Sequence, residues 1–195
     1  TDKEHLAALA FRRYQRALKN AGAVDVDDIL LCTEELFDKH TDVLDEEAGL
    51  FDHLLVDEYQ DTNQPQYRLI RHLADSHRNL CVVGDPDQSL YKWRGADLRN
   101  IMDFEQDFPE ATVVRLEQNY RSTATILDAA NAVIANNGSR MGKNLWTEGA
   151  KGEPIRVYSA YNERDEADFV VGRLREWSDQ GNPRADAAVL YRSNA

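Results

Sequence analysis

The run Leu54-Leu55-Val56-Asp57-Glu58-Tyr59-Gln60-Asp61 constrains this chain more than any other. Three apolar residues read as a short buried strand, and two adjacent acids stop it at once. Such a strand has to sit in a sheet while its carboxyl end stays open to polar chemistry. There, the first acid can hold a Mg²⁺ ion and the second can orient or deprotonate a water, the Walker B arrangement of nucleoside triphosphatases. The same residues also read as a core strand with a solvated acidic end. The strand alone does not separate the two.

A second apolar strand, Leu80-Cys81-Val82-Val83-Gly84, runs into Asp85-Pro86-Asp87-Gln88-Ser89 and then Leu90-Tyr91-Lys92-Trp93-Arg94-Gly95-Ala96-Asp97. Proline and glycine mark a loop. Gln88 supplies an uncharged amide that both donates and accepts hydrogen bonds, which suits a group reporting on a terminal phosphate. Tyr91 and Trp93 alternate with Lys92 and Arg94, so flat aromatic faces lie beside cations. Bases of single-stranded nucleic acid stack on such faces for about 1–3 kcal/mol each. The alternative is a core Trp93 with Arg94 as an ordinary surface charge. A third block, Leu116-Glu117-Gln118-Asn119-Tyr120-Arg121-Ser122-Thr123, follows a predicted strand at 112–117. Arg121 there suits an arginine finger on a phosphate and Tyr120 a stacking partner for a base. Equally, Ser122 or Thr123 could cap the next helix, with Arg121 paired to a surface acid.

The three blocks, in this order and spacing, resemble the UvrD/PcrA/Rep group of superfamily-one DNA helicases. Val24–Leu30 resembles that group's acidic signature ahead of the Walker B strand, and Leu190–Ala195 the motif opening its second motor domain. The resemblance implies an ATP-dependent helicase that moves 3′ to 5′ along single-stranded DNA and unwinds duplex in repair or replication. It implies ATP and Mg²⁺, with Asp57 on the metal, Glu58 as catalytic base, Gln88 and Arg121 on the γ-phosphate, and Tyr120 on adenine. It puts Tyr91, Trp93 and Arg94, with Arg192 and Asn194, on the DNA. Implied partners are single-stranded DNA, single/double-strand junctions, the remaining segments of the same helicase and DNA-repair proteins. No membrane role is implied, and a cytoplasmic location follows.

No G-x-x-x-x-G-K-[ST] loop occurs in these residues, nor do the family's later motifs. The expectation is a segment of a longer helicase that carries half of an ATP site and does not hydrolyse ATP alone. The rival reading is a non-hydrolysing module that holds single-stranded DNA or a partner. A net charge of −12 argues against tight nonspecific binding and confines any DNA contact to a local groove. Cys32 and Cys81 lack metal-ligand spacing, and Cys81 reads as a reduced core thiol.

Strand alternates with helix through most of the chain, which predicts an α/β, RecA-like P-loop NTPase fold, partial, with a parallel sheet flanked by helices. Helices are expected at 3–20, 27–40, 64–74, 97–106, 123–136 and 162–179, and strands at 53–57, 79–84, 112–117, 154–159 and 187–192. The expected organisation is a helical segment at 1–45, the second part of the first motor domain at 46–137, a linker at 138–153 and the start of the second motor domain at 154–195. Ala167, Val170, Val171, Leu174 and Trp177 recur at helical spacing and read as a stripe packed on a sheet.

Overall fold

The computed structural model describes residues 2–138 and 142–191, and within them lie eight α-helices and one two-stranded parallel sheet. The chain divides into two compact units, 1–119 with 130–146 and 120–129 with 147–195.

The first unit opens with α1 (Asp2–Ala21), with acids in its first turn and Lys19 in its last, as the helix dipole favours. The acidic signature at 24–30 is a capping box. Asp25 accepts the Asp28 N–H at 2.8 Å, and Asp28 accepts the Asp25 N–H at 3.3 Å, starting α2 (Val26–Lys39). The Tyr14 hydroxyl donates to the same Asp25 carboxylate at 2.9 Å and ties α1 to that cap. Helix α2 packs against α3 (Thr41–Ala48) and α4 (Gln64–Ala74). Phe37 is buried there with its ring 6.2 Å from the His72 ring, edge on.

Strand β1 (Leu54–Val56) pairs in parallel with β2 (Leu80–Val82), Leu54 opposite Leu80 and Val56 opposite Val82. Helix α4 is the crossover between them. Asn63 caps it in a second capping box with Gln66, and Pro65 sits in the first turn, where its missing N–H costs nothing. Beyond β2 the predicted helix at 97–106 breaks at Asp103 into α5 (Arg99–Met102) and α6 (Phe104–Asp107). The break seats Phe104 between two rings: Tyr59 edge-on at 5.7 Å and Phe108 stacked at 4.7 Å. Tyr59 is fully buried, and burial pushes its hydroxyl up to about 12.

Helix α7 (Ala124–Ile134) and, in the second unit, α8 (Glu163–Asp179) match their expected positions. Asn162 caps α8 by accepting the Asp165 N–H at 3.0 Å. The Tyr158 ring lies flat on Phe169 at 4.0 Å, and its hydroxyl donates to Asp165.

The strands expected at 112–117, 154–159 and 187–192 do not form ladders among the described residues, and residue 192 lies outside them. A strand exists only through its neighbour, and among the described residues no ladder partner faces these segments. Between 111 and 120 only Gln118 makes a bridge, to Trp146; the Trp146 N–H donates to the Glu117 carbonyl at 3.1 Å and Asn119 N–H to the Trp146 carbonyl at 2.7 Å. For the same reason the α8 stripe is not covered by a sheet, and Val171 and Trp177 remain exposed. Cys81 is exposed rather than core: it shares a sheet face with Leu55, itself 77% exposed, and none of the described residues covers that face.

Candidate functional site

The parallel register brings the carboxyl ends of β1 and β2 to one edge, where ligand sites of such sheets lie. Pairing continues just past the strands: the Val83 N–H donates to the Val56 carbonyl at 2.8 Å, and the Tyr59 N–H to the Val83 carbonyl at 3.0 Å. Between those two bonds the chain bulges outward and exposes Asp57 and Glu58. Glu58 takes a left-handed conformation, φ 51° and ψ 39°, uncommon for a residue with a Cβ. Its N–H donates to Asp57 Oδ1 at 2.9 Å. The two acids therefore leave the strand instead of alternating across it, and Glu58 starts the 3-10 turn Tyr59–Asp61.

The second loop is held by Asp85. Its carboxylate accepts the Asp87 N–H at 3.1 Å and the Gln88 amide at 2.6 Å, and it pairs with the Lys143 ammonium. Partial burial pushes the Asp85 carboxyl up, but Lys143 and Gln88 outweigh it and hold the group below the usual carboxylate range. Gln88 is exposed at the edge with its amide anchored in its own loop.

Gln60 links the two loops. Only 1% exposed, it donates from Nε2 to Glu58 Oε2 at 2.7 Å and accepts the Asp85 N–H on Oε1 at 3.0 Å. Its second amide hydrogen points toward Asp61 Oδ2 at 3.5 Å. A further clasp joins the start of α4 to α5. Buried Asn100 donates to the Thr62 carbonyl and hydroxyl, both at 3.1 Å, and accepts from Gln64 at 3.0 Å. Gln64 also donates to Asp97 at 2.9 Å, and Asp97 is gripped by Arg99. Neither Gln60 nor Asn100 is marked by sequence spacing. A buried amide and a solvated loop amide look alike in one sequence.

Tyr91, Trp93 and Arg94 lie on and beside the 3-10 turn Lys92–Arg94, closed by Gly95 at φ +89°. The Arg94 guanidinium sits 5.0 Å from the Tyr91 ring centre and 4.6 Å from that of Trp93, with the two rings 6.2 Å apart. Trp93 is 73% exposed, which removes the core reading of that residue. The platform is an open aromatic face backed by a cation.

Tyr120 and Arg121 belong to the second unit. Tyr120 is exposed. Thr123 precedes α7, its carbonyl accepting the Ile126 and Leu127 N–H groups, and a Cβ at Gly152 would collide with the Thr123 side chain. Arg192 and Asn194 lie outside the described residues.

Among the described residues no group of three or more His, Cys, Asp or Glu side chains is placed to cage a metal. A lone exposed carboxylate at a strand end still fits Mg²⁺, which keeps most of its waters and binds through one or two carboxylates plus substrate phosphates.

Acids thus stand at one parallel strand end, an amide loop at the next and an aromatic-cation platform beyond. Residues 1–109 match the UvrD/REP helicase N-terminal domain and residues 114–195 the UvrD-like helicase C-terminal domain, so the chain belongs to the UvrD/REP helicase family, within the P-loop NTPase superfamily. Over 190 residues it is 50% identical to the ATP-dependent DNA helicase PcrA of Staphylococcus aureus, covering 97% of this chain and 26% of that protein. It is 52% identical over 185 residues to DNA helicase II of Escherichia coli, covering 95% of this chain and 26% of that protein. Against DNA helicase II of Haemophilus influenzae the identity is 51% over 185 residues, 95% of this chain and 25% of that protein. The chain thus spans about a quarter of the length of the curated relatives it matches. The two-stranded parallel sheet with its helices is compatible with that family's fold.

Proposed function

We propose that the chain is the part of an ATP-dependent DNA helicase that carries the water-activating half of the ATP site and a single-strand platform. The observation supporting this most directly is the common edge formed by Asp57, Glu58 and the Gln88 loop. In this reading residues 1–45 return from a helical subdomain inserted in the first RecA-like motor domain, 46–137 are the second part of that domain, 138–153 are a linker and 154–195 open the second motor domain.

Asp57 would hold the Mg²⁺ that accompanies the nucleotide, and that ion would neutralise phosphate charge. Glu58 orients and deprotonates the attacking water. Gln88 hydrogen-bonds the γ-phosphate, and because its loop runs directly into Tyr91–Arg94, loss of that phosphate is felt at the platform. Arg121 stabilises the charge developing during phosphoryl transfer, and Tyr120 stacks on adenine. Tyr91 and Trp93 hold bases of the strand, with Arg94 behind them. Translocation 3′ to 5′, unwinding at single/double-strand junctions, and service in repair or replication with other repair proteins complete the proposal.

The test is ATP turnover by a full-length helicase carrying this segment, with and without single-stranded DNA. Glu58→Gln should lower DNA-stimulated kcat by about 10² or more, the usual scale for losing a positioned general base, and leave single-strand affinity intact. Wild-type protein that never turns over ATP yet binds single strands through Trp93 would instead establish a non-hydrolysing binding module.

A further inference from the structure

Nothing in the proposed mechanism uses Gln60, yet it is the most buried polar side chain near the site, at 1% exposure, and both its ends are committed. The backbone N–H of Asp85, 3.0 Å from Oε1, requires an acceptor and so fixes which way the amide faces. The Nε2 end must then meet Glu58 Oε2 at 2.7 Å. On the far side Asp85 receives the Gln88 amide at 2.6 Å. Hydrogen bonds thus run from Glu58 through Gln60 to the Asp85 backbone, and the carboxylate of the same Asp85 holds Gln88. We infer that Gln60 is a positioning residue: it holds the Glu58 carboxylate at a set orientation and ties that orientation to the position of the Gln88 loop. The inference rests on the reading of Glu58 as the water-activating base.

Two local features support it. Glu58 sits at φ 51°, a backbone that a Cβ-bearing residue keeps only when its surroundings over-determine it, and Gln60 is the side chain that grips it. The room for Gln60 comes from Gly84, where a Cβ would lie 2.7 Å from Gln60 Oε1 and 2.8 Å from the Ile101 side chain. An alanine at 84 would therefore push the Gln60 amide from its place between the two loops. The residue type matters as well. A glutamate at 60 accepts from Asp85 but has no proton for Glu58, and a methionine of similar length offers neither bond. The amide serves both loops because it donates at one end and accepts at the other.

The experiment measures steady-state ATP hydrolysis on an oligothymidine strand for a full-length helicase carrying this segment. The variants are Gln60→Met, Gly84→Ala, Glu58→Gln and the double variant Glu58→Gln with Gln60→Met. A positioning role predicts that Gln60→Met lowers kcat about tenfold or more while KM for ATP and strand affinity stay within about twofold. It predicts a similar split for Gly84→Ala, which reaches the amide from the other side and carries the test if Gln60→Met folds poorly. In the Glu58→Gln background Gln60→Met should cost nothing further, since groups acting as one unit are non-additive. An unchanged kcat in Gln60→Met overturns the inference. So does a loss that adds fully to that of Glu58→Gln, or one in which kcat, KM and strand affinity decline together, for these mark a structural role. Undiminished turnover in Glu58→Gln removes the base assignment itself, and this inference with it.

Discussion

At the scale of single residues, Glu58 shows how a site can conflict with the backbone that carries it. A Cβ-bearing residue in the left-handed region costs about 1–3 kcal/mol, whereas glycine enters it freely. The strain is held by the flanking bonds, Tyr59 N–H to Val83 O at 3.0 Å and Gln60 Nε2 to Glu58 Oε2 at 2.7 Å. Glu58→Gly therefore separates function from stability. It should abolish DNA-stimulated turnover while leaving the free energy of unfolding within about 1 kcal/mol of wild type, the relief of strain being offset by the greater freedom of glycine in the unfolded chain and by loss of the bond from the buried Gln60 amide. Chemical denaturation of wild type and variant checks this. A loss of more than about 1 kcal/mol would mean that the carboxylate is a structural tie, contrary to the stability–function conflict expected of a catalytic group.

Among the elements, the clasp from α4 to α5 carries a testable pH dependence. The Arg99 guanidinium holds the Asp97 carboxyl well below the usual carboxylate range, with the Arg99 N–H and Gln64 amide adding to it. In the unfolded chain Asp97 returns to about 3.9. The unfolded state therefore takes up the proton first as pH falls, so the clasp stabilises fully above about pH 4 and progressively less below it. Arg99 is exposed, which limits the gain to about 1 kcal/mol. Asp97→Asn should lower stability by about that much at pH 7 and close the gap with wild type as the pH drops below 4; a gap that persisted would exclude the ionised carboxylate as its source. The same elements show what can be read from a sequence. Helices α1, α2, α4, α7 and α8 were legible because each carries its own cap or period: Asp25 with Asp28, Asn63 with Gln66, Asn162 ahead of Asp165. The pair β1 and β2 was legible as two apolar runs with polar ends. The runs at 112–117, 154–159 and 187–191 have strand composition, but a ladder depends on a neighbour that local composition cannot supply. The break at Asp103 and the burial of Gln60 and Asn100 depend on contacts distant in sequence, as with Phe104 against Tyr59. At the site, Asp57, Glu58 and Gln88 were legible from motif spacing, while the amide that joins them was not.

For the whole molecule, two opposed surface properties decide how the isolated chain behaves in solution. The first is apolar exposure. Leu55, Val114, Leu116, Val157 and Leu190 are between 73% and 94% exposed, and four of the five fall on the runs that make no ladder. Unpaired apolar strands are templates for association, and large exposed apolar surface marks contact with further protein. The second is a net charge of −12, which sets like molecules repelling one another. The two respond oppositely to salt. At about 0.01 M ionic strength the repulsion reaches about 30 Å, and at 1 M about 3 Å, while apolar attraction is not screened. The isolated chain should therefore sediment as a monomer at low salt and self-associate as salt is raised, and it should bind a hydrophobic dye under both conditions. In a full-length helicase carrying this segment the dye binding should fall, because the same faces are then covered. Sedimentation velocity across a salt series checks the sign. Oligomers that dissolve as salt rises would mean that charged contacts, not uncovered apolar strands, hold the copies together, and the unpaired segments would then lose their role in association.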